Sequence, residues 1–151
     1  MKIAVFPGTF DPITKGHVDI VLRAIPLFDN IVVAIGDNAE KKRMFSLDQR
    51  LEWLNKVFES EEKVEVSSYK GLTIDFCKKI NSNFILRGLR SVKDYEYEEQ
   101  IAQANKEMAS QIETVFVLAS RNYGFISSTI VRDLIKHQGN YQVFLPKEVI
   151  I

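Results

Sequence analysis

The sequence has little of what marks a secreted, membrane-spanning or nucleic-acid-binding protein. Its 151 residues include one cysteine, Cys77, so no disulfide can form within the chain, which favours a reducing compartment. Lysine and arginine number 20, as do aspartate and glutamate. Without a basic excess we expect no general binding to nucleic acids or membrane surfaces. The longest aliphatic run, residues 31–35, is too short to span a bilayer. These features predict a cytoplasmic protein.

Several common site motifs are also missing. The sequence contains no G-x-G-x-x-G, which excludes the dinucleotide-binding fingerprint, and no G-x-x-x-x-G-K-[ST], which excludes a P-loop. Cysteine and histidine show no spacing typical of metal ligands, so we expect no protein-bound metal site. Two frequent explanations for nucleotide binding, and one for metal catalysis, are thereby removed.

What the chain does contain is a regular alternation of two patterns. Short β-branched runs occur at residues 3–6, 31–35, 64–67, 84–86 and 115–118. Segments of helical period lie between and after them, at residues 16–24, from 46 onwards, at 73–80, at 93–108 and from 128 to Gly139. This alternation predicts a single α/β domain over residues 1–151, a five-stranded parallel sheet with helices on both faces in the Rossmann-like manner. Ligands of such folds bind beyond the carboxyl ends of the strands.

Three of the predicted helices carry further signals. Ser46 and Gln49 have the spacing of a capping box, in which each satisfies a free backbone N–H of the other. Gly139 is expected to end the last helix in the left-handed conformation. One face of the fourth helix is apolar and comprises Tyr97, Ile101, Ala104 and Met108.

The segment after the first strand, residues 7–17, is a shaped loop with two prolines and two glycines. Gly8 would let the backbone approach a ligand closely, and Pro12 pushes Asp11 towards an extended conformation. The next helix begins near Gly16, so its free N–H groups would face the crevice, and His17 in the first turn could donate to a phosphate. Taken alone, His17 is better explained as a surface histidine. A plain connection, however, does not need so many special backbone positions.

Two other strand ends carry basic residues. Lys41 begins a run of three, which is either a solvated loop or a source of one lysine for the site. Arg87-Gly88-Leu89-Arg90 suits phosphate recognition, because guanidinium groups pair with phosphate in bidentate fashion. The alternative is ion pairing with the acidic residues that follow, Asp94, Glu96, Glu98 and Glu99.

Three hydroxyl residues in a row, Ser127-Ser128-Thr129, follow the fifth strand at a predicted helix start. An N-cap needs only one hydroxyl. The excess favours a second helix N-terminus that binds an anion.

Together these segments resemble a known family. Thr14-Lys15-Gly16-His17, and Ile126-Ser127-Ser128-Thr129 followed by Arg132, resemble the paired signatures of the nucleotidyltransferase superfamily. Within it, the 7–14 loop, the 87–90 segment and Asp94-Tyr95-Glu96-Tyr97-Glu98 resemble the phosphopantetheine adenylyltransferase family. The match extends along nearly the whole chain, to Phe144-Leu145-Pro146.

The resemblance implies transfer of the adenylyl group of ATP to 4′-phosphopantetheine, giving dephospho-coenzyme A and pyrophosphate. It also implies Mg²⁺ bound with ATP, direct attack without a covalent intermediate, and a homohexamer. The rivals are two sister activities, transfer to nicotinamide mononucleotide and cytidylyl transfer to glycerol phosphate, and a non-catalytic adenine-nucleotide sensor. The segments at 87–90 and 94–98 favour the pantetheine acceptor, and the joint presence of His17 and Lys41 argues against a sensor.

Carried over residue by residue, the resemblance implies three sets of site residues. The ATP-binding set is Thr9, Phe10, His17, Gly88, Leu89, Arg90, Glu98, Tyr123, Gly124, Phe125, Ile126, Ser127, Ser128 and Thr129. The phosphopantetheine-binding set is Thr9, Lys41, Thr73 and Arg87. An acceptor phosphate is already a nucleophile at neutral pH, so the enzyme must align two anions and stabilise growing charge rather than supply a general base. The candidates for that catalytic role are His17, Lys41 and Arg90.

Overall fold

Five parallel strands form one sheet in the computed structural model, which describes residues 1–38 and 40–151. The strands are β1 (Ile3–Gly8), β2 (Asn30–Gly36), β3 (Val64–Tyr69), β4 (Phe84–Leu89) and β5 (Glu113–Leu118). The helices are α1 (Lys15–Ala24), α2 (Leu47–Val57), α3 (Thr73–Lys79), α4 (Val92–Met108) and α5 (Ser128–Lys136). Two short 3₁₀ helices cover Ile25–Leu27 and Gln142–Phe144.

Helices pack on both faces of the sheet, as the alternation predicted. Successive residues of a strand point to opposite faces, so Ala4 belongs to one core and Val5 to the other. The first core joins the sheet to α1, α2 and α5, through buried residues such as Val21, Leu54 and Val131. The second joins it to α3 and to the segment after α4, through Ile74, Phe76, Cys77, Ala109 and Ile112. The predicted α/β fold with a five-stranded parallel sheet is confirmed.

The strand order β3-β2-β1-β4-β5 reverses its direction of growth between β1 and β4. β1 and β4 pair only at Ala4 with Phe84 and at Val5 with Ile85, whereas β1 stays paired with β2 as far as Gly8. Pro7 has no N–H to offer to a ladder. The sheet therefore opens between the carboxyl-terminal halves of β1 and β4, which is where a ligand of such a fold binds.

Two local expectations need correction. Of the predicted capping box in α2, the structure shows one half, the Gln49 N–H donating to Ser46 Oγ at 3.2 Å. Gln138, not Gly139, has the positive φ at the end of α5 (56°). Gly139 is required for space instead, because a Cβ there would lie 2.9 Å from Leu134 Cδ2.

The apolar face of α4 lies open to solvent. Tyr97 is 67% exposed and Met108 is 52% exposed, while Ile101 and Ala104 are also exposed. The residue that α4 buries is Glu98. A helix can be amphipathic without turning its apolar side to its own sheet. Among the described residues no helix has both the length and the apolar character needed to cross a membrane.

Candidate active site

A cavity of about 1000 Å³ lies where β1 and β4 separate. It is walled by the β1–α1 loop, the carboxyl ends of β2 and β4, α4, and the first turns of α3 and α5. The structure brings the following predicted residues to its wall: Thr9, His17, Lys41, Thr73, Arg87, Gly88, Arg90, Glu98, Tyr123, Ile126, Ser127, Ser128 and Thr129. Segments at the ends of all five strands thus meet in one place, as their positions in the sequence predicted.

Four residues of the predicted ATP-binding set do not line this cavity: Phe10, Leu89, Gly124 and Phe125. Phe10 and Leu89 are buried, and Phe125 packs its ring edge-on against Phe144 with the ring centroids 5.9 Å apart. The ring of Phe10 fills the space beside Gly8, since a Cβ on Gly8 would lie 2.9 Å from Phe10 Cζ. Gly8 therefore makes room for the Phe10 side chain, and it also lines the cavity, so close approach of a ligand to its backbone stays a prediction.

His17 is the third residue of α1, and it forms a reciprocal cap with Thr14. The His17 N–H donates to Thr14 Oγ1 at 3.4 Å, and the Thr14 N–H donates to His17 Nδ1 at 3.1 Å. Thr14 Oγ1 also lies 3.0 Å from Nδ1. A backbone N–H can only donate, so Nδ1 must accept and the ring proton must sit on Nε2. The start of α1 thereby fixes the tautomer that can donate a hydrogen bond.

His17 is also held in its neutral form. Burial lowers the pKa of His17 to about 4, and the charges of Arg90 and Arg87 contribute to the same shift. Its ring meets the Phe10 ring edge-on, with the centroids 5.0 Å apart. At neutral pH this side chain is a neutral N–H donor beside two guanidinium groups, which suits it to stabilise an oxyanion but not to protonate one.

The β1–α1 loop is tied to the segment before α2 by two buried charged residues. Asp11 accepts from the Met44 N–H and the Phe45 N–H, both at 2.9 Å. Arg50 donates to the carbonyl oxygens of Phe45 and Ser46 through Nε, and to that of Thr9 through Nη1 at 2.9 Å. Burial lowers the pKa of Arg50, while the charge of Asp11 acts in the opposite direction. The sequence had pointed to neither side chain.

On its other side the loop is tied to α5. Ser128 Oγ donates to the Pro12 carbonyl at 2.8 Å, and Arg132 Nη1 donates to the Asp11 carbonyl at 2.8 Å. Ser127 caps the helix by accepting from the Ile130 N–H, and Thr129 Oγ1 accepts from Arg132. Ser127 alone caps α5, as expected of an N-cap, and Ser128 and Thr129 have other partners within the chain. Binding of an anion at this helix start stays a prediction. What the α5 terminus offers an anion is the free backbone N–H groups of its first turn.

Both arginines of the 87–90 segment are paired with acidic residues of α4. Arg87 binds both carboxylate oxygens of Glu98 and donates through Nη1 to the Pro7 carbonyl, across the gap between β4 and β1. Arg90 Nε lies 3.3 Å from Asp94 Oδ2, and its Nη1 donates to the Ile126 carbonyl at 3.1 Å. The ion-pairing alternative thus holds for both. A guanidinium has five N–H donors, so each arginine keeps donors for a phosphate.

The last two predicted acceptor contacts, Lys41 and Thr73, differ in their exposure and in their hydrogen bonds within the protein. Lys41 is exposed on the cavity wall, and its backbone N–H donates to the Asn38 carbonyl. Thr73 Oγ1 lies 2.7 Å from Tyr69 Oη, and the Tyr69 ring stacks on Phe76. Tyr69 also lines the cavity, although nothing in its sequence context singled it out.

Comparison with known proteins shows which family the chain belongs to. The cytidylyltransferase-like family model matches residues 5–134. The phosphopantetheine adenylyltransferases of Christiangramia forsetii and Flavobacterium psychrophilum are each 54% identical over 149 residues, which is 99% of this chain and 98% of theirs. That of Clostridium perfringens is 45% identical over 150 residues, covering 99% of this chain and 92% of its own. The chain belongs to the phosphopantetheine adenylyltransferase family.

Membership of the phosphopantetheine adenylyltransferase family confirms the resemblance stated above and makes the protein a nucleotidyltransferase. It does not test the individual site residues. For those, the cavity shows which side chains of this family member share one space. It also shows that Asp11 and Arg50 hold the loop from behind that space.

Proposed function

We propose that the protein transfers the adenylyl group of ATP to 4′-phosphopantetheine and releases dephospho-coenzyme A and pyrophosphate. The observation that carries this proposal is the meeting, in one cavity, of the neutral N–H donor of His17 with Lys41, Arg87 and Arg90. Two anionic substrates need such a set of fixed donors and cations. Two relatives that match over 98% of their length are phosphopantetheine adenylyltransferases, which supports the same reaction.

The two substrates would share the cavity by its walls. We assign ATP to the part bounded by the end of β4 and the first turn of α5, where Gly88, Arg90 and residues 126–129 lie. We assign the acceptor to the part bounded by Lys41, Thr73 and Arg87. Glu98 uses both carboxylate oxygens on Arg87. Its role in this arrangement is therefore to orient Arg87, although the resemblance implied an ATP contact.

The transfer would proceed in one displacement. An acceptor phosphate oxygen attacks the α-phosphorus of ATP, and the bond from that phosphorus to the β-phosphate oxygen breaks, so that pyrophosphate leaves with the bonding electrons. The acceptor phosphate is ionised at neutral pH, so no side chain has to remove a proton. His17 Nε2–H would donate to the oxygen on which charge grows, while Lys41 and Arg90 hold the phosphates in line.

Mg²⁺ would accompany ATP rather than occupy a site built by the protein. Within residues 1–38 and 40–151, no three side chains of aspartate, glutamate, histidine or cysteine stand close enough to hold a metal. Mg²⁺ commonly keeps most of its waters and binds through substrate phosphates. The ion would supply charge neutralisation on the phosphates of ATP.

A panel of substrate pairs tests the proposed reaction. We expect pyrophosphate release with ATP and 4′-phosphopantetheine, with dephospho-coenzyme A identified by its mass. We expect none with ATP and nicotinamide mononucleotide, or with CTP and glycerol phosphate. Release with only one of these other pairs would refute the acceptor assignment. Binding of ATP without turnover of any acceptor would instead indicate a nucleotide sensor.

We also propose a cytoplasmic homohexamer. The exposed apolar residues of α4, including Tyr97 and Met108, support an interface between copies, because monomers rarely expose such contiguous surface. Sedimentation velocity is expected to give six times the chain mass of 17.3 kDa. Tyr97→Asp is expected to yield smaller species. A wild-type protein that sediments as a monomer at micromolar concentration would contradict the assembly.

A further inference from the structure

Two buried charges, on Asp11 and Arg50, lie behind the cavity rather than on its wall. Asp11 is 2% exposed and Arg50 is 3% exposed, and neither lines the cavity. In the part of the chain that the structure describes, no ion pair joins them. Burying a charge costs free energy that its hydrogen bonds must offset, so the partners of these two side chains indicate what they hold in place.

Each of these charged side chains forms hydrogen bonds with the backbone of one short segment, residues 44–46. Phe45 is held through both of its backbone polar groups, since its N–H donates to Asp11 and its carbonyl accepts from Arg50. Arg50 reaches from there to the Thr9 carbonyl at 2.9 Å. Hydrogen bonds that involve a charged group are about twice as strong as neutral ones. The 44–46 segment is thus fixed to the β1–α1 loop.

The same segment supports one end of the stretch of chain that carries Lys41. At the other end, the Asp37 N–H donates to the Tyr69 carbonyl at 2.8 Å. Met44, where the Asp11 carboxylate takes hold, is only three residues beyond Lys41. Asp11 itself belongs to the loop that places Thr9 and His17. The hydrogen bonds of Asp11 and Arg50 therefore link the stretch of chain that carries Lys41 to the loop that precedes His17.

We propose that Asp11 and Arg50 are positioning residues for the transfer step, which fix Lys41 relative to Thr9 and His17 by clamping residues 44–46 to the β1–α1 loop. This inference rests on the proposed function, because it assigns the two residues to that reaction. It concerns neither substrate contact nor proton transfer.

A double-mutant cycle between Asp11→Asn and Lys41→Ala tests the clamp. The asparagine keeps the size of the side chain, but its amide turns a donor towards one of two backbone N–H groups. We expect Asp11→Asn to lower kcat about tenfold to a hundredfold, since a misplacement of about 1 Å far from the chemistry can cost this much. In the Lys41→Ala background the same change is expected to lower kcat by less than about twofold, because the residue through which it acts is gone.

Two further variants keep the result decisive. Asp29→Asn is the control for the chemical change: the exposed Asp29 also accepts a backbone N–H, that of Lys2 at 2.6 Å, but it precedes β2 at the amino-terminal end of the strands, away from the cavity. We expect kcat to be unchanged in both backgrounds. If Asp11→Asn fails to fold, as judged by circular dichroism, Arg50→Lys replaces it in the cycle, because an ammonium cannot span the carbonyls of Thr9, Phe45 and Ser46.

The cycle uses whichever acceptor the wild-type protein turns over in the substrate panel. If phosphopantetheine is not an acceptor, the proposed function is refuted, while the clamp is still tested by the cycle with the acceptor that is used. A loss of kcat that disappears without Lys41 supports the clamp. An equal loss in both backgrounds would show a general structural role, and no loss in the wild-type background would show no role. Either of these two results overturns the inference.

Discussion

Replacing His17 with alanine is expected to lower kcat about a hundredfold to a thousandfold, which is the usual effect of removing one donor to a developing oxyanion. The affinity for ATP should change little, because the donor acts on charge that grows in the transition state. Pyrophosphate release under saturating substrates, together with calorimetric titration of ATP, measures the two quantities. Undiminished kcat in this variant would end the assignment of His17.

Glutamine and glutamate at position 17 separate the donor from the helix cap. Both residues can take the place of the histidine in the cap with Thr14, since Glu and Gln at this position form capping boxes with threonine. Glutamine also keeps a neutral N–H donor, whereas glutamate offers only a negative charge. We therefore expect His17→Gln to retain at least about tenfold more activity than His17→Ala or His17→Glu. Equal activity in the glutamine and glutamate variants would contradict the donor role.

The stability of the folded protein is expected to fall between pH 6.5 and pH 4 because of the same residue. The pKa of His17 is about 4 in the folded state and 6.5 when unperturbed. Between these values the unfolded chain binds a proton that the folded chain does not, so added protons favour unfolding. Above pH 6.5 His17 is neutral in both the folded and the unfolded protein, so it no longer makes the stability depend on pH there. Part of the ring is open to the cavity, so we expect a loss of roughly 2–3 kcal/mol across this window.

Urea unfolding of the wild-type protein and of His17→Gln at pH 4.0, 5.0, 6.0 and 7.5 measures this loss. Glutamine does not titrate, so the difference between the two proteins removes the contribution of the carboxylates. The free energy of unfolding of the wild type should fall relative to the variant as the pH is lowered. A difference that stays constant, or that grows in favour of the wild type at low pH, would show that His17 is not held neutral.

The sheet and its helices could be predicted from the sequence because their signals are local. The β-branched runs and helical periods each depend on neighbours within a few residues, and they placed the five strands and the starts of the five α-helices to within a few positions, but not the two 3₁₀ helices. The end of α5 was misjudged by one residue, because Gln138 takes the left-handed conformation and Gly139 packs against Leu134 of the same helix. The exposure of Tyr97 and Met108 could not be inferred either, since amphipathicity shows that a face is apolar but not what covers it.

Many of the residues that line the site could be predicted from the sequence, but the long-range hydrogen bonds that connect them could not. Strand ends in a parallel sheet converge, so Thr9, Lys41, Arg87 and residues 126–129 were expected to share one space, and they do. The tie between Ser128 and Pro12 joins residues 116 positions apart, and local capping rules cannot detect it. The cap between His17 and Thr14, which fixes the tautomer of the ring, by contrast had a signal in the sequence. Thr14 precedes His17 with the spacing of a capping box, in which histidine is not the usual partner.

The contacts between α5 and the β1–α1 loop have a consequence for how substitutions can spread through this protein. Ser128 and Arg132 contribute side-chain donors, whereas Pro12 and Asp11 contribute carbonyl groups that every amino acid possesses. This joint between α5 and the loop therefore depends on its two sides in different ways. On α5 it requires particular residues at positions 128 and 132, and on the loop it requires only the path of the main chain. A chimera that takes residues 126–132 from a relative keeps the joint only if that segment brings its own hydroxyl and guanidinium. For this joint a transplanted loop has to preserve only the path of its main chain, whereas its contact with residues 44–45 also requires the carboxylate of Asp11.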